Sequence, residues 1–66
     1  METFKDRLIA EKKELDEKLI KLKNFIIGPA FVDIESVQRS LLIIQMHAME
    51  TYSHCLDERI MWLGDK

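Results

Sequence analysis

The sequence predicts an all-α protein: an antiparallel hairpin of two long helices that assembles into an oligomeric helix bundle. Three observations predict it. Apolar residues recur at helical spacing through both halves of the chain, and a single Gly28-Pro29 break separates the halves. The apolar positions also cover a wider arc than one partner helix can hide.

The first helix is expected from about Phe4 to Ile27. Thr3 is a good N-cap, because its hydroxyl can accept a backbone N–H left unpaired in the first turn. Asp6 stands where a capping box would carry Glu or Gln. Phe4, Leu8, Leu15, Leu19, Leu22 and Ile26 then form the seam of helices that pack lengthwise. Glu11 and Lys12 interrupt that seam and leave its first turns less tightly held. Ile9, Ile20, Phe25 and Ile27 widen the apolar arc, while Lys13, Glu14, Glu17, Lys18 and Lys21 read as a solvated face. Glu14–Lys18 and Glu17–Lys21 have the spacing of i,i+4 ion pairs.

The turn is expected over residues 28–33, with Gly28 in the left-handed conformation and Pro29 ending the helix. Phe31 reads as a plug for the closed end of the hairpin. Asp33 or Ser36 is the expected cap of the second helix, since Glu35 sits where a cleaner motif has Ser or Asp. The second helix is expected over about 34–63. At about 45 Å against about 36 Å it overhangs the first by a couple of turns. One apolar line runs Leu42, Met49, Leu56, Leu63 with Met46 and Ile60; a second runs Leu41, Ile44, Ala48, Cys55. Two lines suit a helix with more than one neighbour, so oligomerisation is expected.

Size and charge bound the function. Sixty-six residues form one domain (1–66) whose monomer buries only about 60% of its unfolded surface. Cys55 is the single cysteine, so no disulfide can staple the chain, and a lone thiol fits a reducing compartment. The first residues carry no apolar signal segment, and a cytoplasmic location is expected. The net charge is −2, with +1 over residues 1–27 and −3 over residues 28–66. Neither half has a strongly basic footprint, so DNA and RNA are not expected partners, and no membrane segment is present.

Between the two apolar lines of the second helix, Gln38, Gln45, Tyr52 and Arg59 recur every seven residues. Burying such groups unpaired is costly. They therefore read either as a structural network fixing the register between copies or as a pocket at a subunit interface. In the second reading Arg39 and Arg59 hold phosphate oxygens, Gln45 reads a base or ribose edge, and Tyr52 or Trp62 stacks on a ring. His47 and His54 are about 10 Å apart along the helix axis, too far to share a metal, and read as surface residues. Cys55 reads as a small core residue, and Met46, Met49 and Met61 as core filler. With no nucleophile–base pairing, Gly-rich phosphate loop or paired catalytic carboxylates, neither an enzyme nor a cofactor is expected.

The order Arg7-Leu8, Glu14-Leu15, Leu19, Leu22, Phe25-Ile26, then Phe31, Gln38-Arg39, Leu41-Leu42, Gln45, Ala48-Met49, Tyr52, Leu56 and Arg59-Ile60 resembles a family of small all-helical proteins of crAss-like and other tailed bacteriophages and prophages. Glu35 and Ile44 depart from that pattern. The resemblance implies a phage accessory protein. In size, helical architecture and expected oligomerisation the chain is also similar to phage anti-defence sponges, which capture nucleotide second messengers of CBASS or Thoeris immunity. Two functions are thus expected in competition. One is a non-catalytic sponge for a cyclic nucleotide or ADP-ribose-type ligand. The other is a helical interaction module, an adaptor or inhibitor that docks its apolar arc on a host or phage protein.

Overall fold

The computed structural model describes residues 2–64. Helix α1 spans Phe4–Ile27, a 3₁₀ turn spans Pro29–Asp33, and helix α2 spans Ser36–Leu63. The two helices pack antiparallel into a rod of 48 × 18 × 14 Å. Among the described residues there is no strand, and no helix is long and apolar enough to cross a membrane.

Local chemistry sets each boundary. Thr3 and Asp6 form a reciprocal capping box: the Asp6 N–H donates to Thr3 Oγ1 at 3.1 Å, and the Thr3 N–H donates to Asp6 Oδ2 at 3.2 Å. The shorter Asp side chain thus does what Glu usually does. Gly28 departs from expectation, for its backbone is extended (φ −83°, ψ 167°) rather than left-handed. A Cβ there would stand 3.2 Å from the Asn24 carbonyl and 3.4 Å from that of Phe25. Close approach to the end of α1 is therefore what favours glycine. The conformation that needs glycine occurs at Gly64, with φ 59° at the end of α2.

Pro29 opens the 3₁₀ turn, where its missing N–H costs nothing. Phe31 is buried and its ring lies 6.2 Å from that of Phe25, inclined by 54°, closing the hairpin as expected. The cap of α2 is Glu35, whose carboxylate accepts the Val37 N–H at 3.4 Å; neither Asp33 nor Ser36 takes that place. The helix consequently starts at Ser36, two residues later than the periodicity implies. Lys5 Nζ donates to the Gly64 carbonyl at 2.6 Å, so the free ends are level. The overhang shrinks to about one turn, at the closed end.

The core is narrow. Leu8, Leu15 and Leu56 form its centre, with Met49, Ile60 and Leu63 packed against them; Leu19 and Phe31 are also buried. These are the seam positions of both helices, except that Phe4 is exposed. Cys55 is exposed rather than in the core. Met46 and Met49 are half-buried, but Met61 faces solvent. The line Leu41, Ile44, Ala48, Cys55 is uncovered along its length.

Candidate ligand-binding face

At 100° per residue, α2 turns its side chains about the fully buried Leu56 in a fixed order. On one side of the core lie Arg39, Glu50, Ser53 and Asp57. On the other lie Gln45, Tyr52 and Arg59, and beyond them the uncovered apolar line with Trp62. The hairpin therefore has two unlike flanks.

The first flank is a polar clasp between the helices. Lys12 Nζ lies 2.5 Å from Asp16 Oδ2, 3.0 Å from Ser53 Oγ and 3.4 Å from Asp57 Oδ1. Ser53 Oγ donates in turn to Asp16 Oδ1 at 2.6 Å. Further along, Lys23 Nζ meets Glu50 Oε2 at 2.9 Å. Lys12, which interrupts the apolar seam of α1, thus joins the helices instead of loosening them. The hydrogen bond to Asp16 raises the Lys12 ammonium above its ordinary value. The same bond, and then the one from Ser53, lowers Asp16. Lys23 above all lowers Glu50. The pairs Glu14–Lys18 and Glu17–Lys21 are not among the ion pairs that the described residues form.

An open cavity of about 250 Å³ on this flank is lined by Leu19, Lys23, Glu50, Ser53, His54 and Asp57. Glu50 and Asp57 give it an acidic wall whose nearest cation, Lys23, is already paired, a poor setting for an anion. None of the residues expected to hold a ligand lines it. His47 and His54 stand at the surface beside Glu50 and Glu58, at 3.2 and 3.8 Å. Among the described residues no three ligands gather for a metal.

The second flank carries most of the residues singled out from sequence. The Arg59 guanidinium carbon lies 5.8 Å from the centre of the Phe4 ring, a cation–π contact that holds the group toward α1. Among the described residues Arg59 has no carboxylate partner, so its charge remains available. Tyr52 is half-exposed at 44% and Trp62 is open at 80%. Gln45 Nε2 lies 3.9 Å from Met49 Sδ, a weak contact that leaves most of its amide capacity free.

Gln38, Gln45, Tyr52 and Arg59 are all exposed, and among the described residues no polar side chain is buried. Within one chain the stripe therefore has no burial cost to settle. Tyr52 and Arg59 are neighbours at about 10 Å along the axis, but Gln45 is about 21 Å from Arg59. Arg39 lies on the opposite flank, about 30 Å away along the axis. Its Nε is enclosed and has no hydrogen-bond partner among the described residues. One copy thus unites Tyr52, Arg59 and Trp62 on a flank and leaves Gln45 apart and Arg39 behind. The clasp was missed in the sequence, although Lys12 in an apolar seam and Ser53 beside Leu56 were its signals.

Comparison with known proteins adds context to this geometry. The model of a family described as Sequestin matches residues 2–61. The chain is 33% identical over 52 residues to an uncharacterized 7.5 kDa protein of the denB-rIIB intergenic region of Enterobacteria phage T4, covering 74% of this chain and 81% of that protein. No solved structure matches.

Proposed function

We propose that this chain, which belongs to the Sequestin family, is a non-catalytic phage protein that binds and sequesters a nucleotide immune signal at faces shared between copies. The observation that carries the reading is the flank of α2 on which Arg59, with no carboxylate partner among the described residues and held over Phe4, shares a face with the exposed ring of Tyr52 two turns, about 10 Å, away. A guanidinium and an open aromatic ring about 10 Å apart on one face match the two halves of a nucleotide, its phosphate and its base. The family's name, Sequestin, and a relative in phage T4 support the reading. Capture without turnover needs affinity alone, which a chain of this size can provide.

Titration calorimetry with cyclic dinucleotides, cyclic trinucleotides and cyclic ADP-ribose isomers tests the reading. Binding of one class is expected. Arg59→Ala, which removes a charge-assisted contact of about 1.5–3 kcal/mol, is expected to weaken it by one to two orders of magnitude. Absence of heat with all three classes overturns the proposal.

A further inference from the structure

The uncovered flank of α2 has a repeat of its own. Val37, Leu41, Ile44, Ala48, Cys55 and Trp62 occupy alternating steps of four and three residues, with Thr51 and Glu58 in the two remaining positions. Such a repeat is a coiled-coil seam about 38 Å long, and it is separate from the seam that packs on α1. Its large members are open: Val37 by 58%, Leu41 by 51% and Ile44 by 62%. The chain exposes 5275 Å², whereas a compact monomer of its mass exposes about 4,400 Å². The excess, about 900 Å², is close to the roughly 800 Å² that each partner of a stable interface covers.

We propose that a second copy of this chain lies antiparallel along this seam, about a two-fold axis between Met49 and Glu50, and completes the ligand face with its own Gln45. Direction follows from the seam's residues. A parallel pair sets Glu58 against the partner's Glu58 and stacks Ile44 on Ile44 while Ala48 meets Ala48, so like charges oppose and the spacing is uneven. An antiparallel pair sets Val37 against the partner's Trp62, Ile44 against the partner's Cys55 and Ala48 against the partner's Thr51. Large then meets small at Ile44, Glu58 is opposed by the partner's Leu41, and the helix dipoles run head to tail.

This register also shapes the ligand face. In an antiparallel pair, residues turned the same way from the seam share one side of the dimer, so both copies of the stripe line one groove. The partner's Gln45 arrives level with His54, between Tyr52 and Arg59 along the axis. The gap of about 21 Å that separates Gln45 from Arg59 in one chain is thereby closed to about 8 Å. Two equivalent half-sites result, each with a guanidinium and a phenol from one copy and an amide from the other, while Arg39 stays outside. What the half-sites bind rests on the nucleotide reading; the dimer does not.

Sedimentation equilibrium and disulfide trapping of the full chain, without nucleotide, test the proposal. The native chain is expected to be a dimer at micromolar concentration that diamide does not cross-link. Its two Cys55 thiols stand eleven residues, about 16 Å, apart along the axis, beyond disulfide reach. Ile44→Cys is expected to place a new thiol opposite the partner's Cys55 and to give a covalent dimer on oxidation, lost again in Ile44→Cys combined with Cys55→Ser. A native monomer, a covalent dimer of the native chain, or no cross-link in a folded Ile44→Cys variant each overturns it. So does a stable complex with a host protein that covers the seam in place of the second copy. Failure of the calorimetric experiment leaves these outcomes unchanged, which separates the two proposals.

Discussion

The two flanks of the hairpin carry comparable lengths of helix but close in different ways. On one, Lys12 reaches from α1 to Ser53 and Asp57 on α2 while holding Asp16, and Lys23 reaches Glu50. The charges of this clasp find their partners inside the chain, while Arg39 on the same flank does not among the described residues. On the other, the bridging contact is Arg59 over Phe4, and the apolar positions from Val37 to Trp62 face solvent. The first flank fixes how α1 and α2 lie together. The second has the pattern of an interface with no occupant in a single copy. Stability is thus assigned to one side of α2, and the proposed function to the other.

The core between the flanks sets the scale for any comparison. Leu56 is fully enclosed between Leu8 and Leu15, so Leu56→Ala is expected to cost about 2–5 kcal/mol. A chain of this length has roughly 3–10 kcal/mol in total. Thermal melting followed by circular dichroism should therefore show a midpoint lowered by about 10–40 °C. A shift of only a few degrees would mean that contacts between copies, and not this core, hold the fold.

The apolar flank is tested next. Ala48→Glu adds a long charged side chain where the two copies approach most closely, yet in one chain Ala48 is exposed and the helix-propensity cost is small. Association is expected to weaken at least a hundredfold, with the monomer's helicity kept. The native melting temperature should rise with protein concentration, as it does for any linked dimer, and that of the variant should not. A smaller effect follows from the shared groove. Arg59→Ala and Gln45→Ala are each expected to lose tight nucleotide binding. When the two are unfolded and refolded together, every mixed dimer regains one intact half-site of two. Titration that recovers no binding would place Gln45 and Arg59 in the same copy's site.

Much of this was legible in the sequence, and the unread parts have identifiable causes. Helix α1 was placed to the residue because Thr3 and Gly28-Pro29 are strong local signals. The start of α2 was less legible because Glu35 caps with a longer side chain than the usual Asp or Ser. Two apolar lines were visible on α2, but periodicity alone did not say which one packs inside the chain; Leu56 and its neighbours took that role, and Cys55 was left outside. Arg39 and Arg59 looked equivalent as cations. Twenty residues at 100° each turn one about 160° from the other, and the clasp decides which side Arg39 shares. The polar stripe lies between apolar lines, a pattern that implies burial, yet only a second copy would bury it.

The clasp itself supplies the smallest effect and a pH signature that the apolar flank lacks. Asp16 and Glu50 are held below their ordinary values of 3.8 and 4.5 by Lys12 and Lys23. Their stabilisation is present above those values and is lost as pH falls through the lowered ones. Lys12 is raised above 10.5, so its contribution is full below 10.5 and lost only as pH climbs past its raised value. Stability from the clasp is therefore flat between about pH 5 and pH 9 and declines at the acidic end first. Lys12→Met keeps the packing of the stem and removes the charge. At neutral pH it is expected to cost less than about 1 kcal/mol, because Asp16 and Asp57 are partly in water and screened. The gap between native and variant melting temperatures should narrow as pH drops through the acidic range, and should narrow with added salt as well. A gap that stayed constant under both changes would mean that Lys12 acts through its methylene stem, with packing in place of charge holding that flank shut.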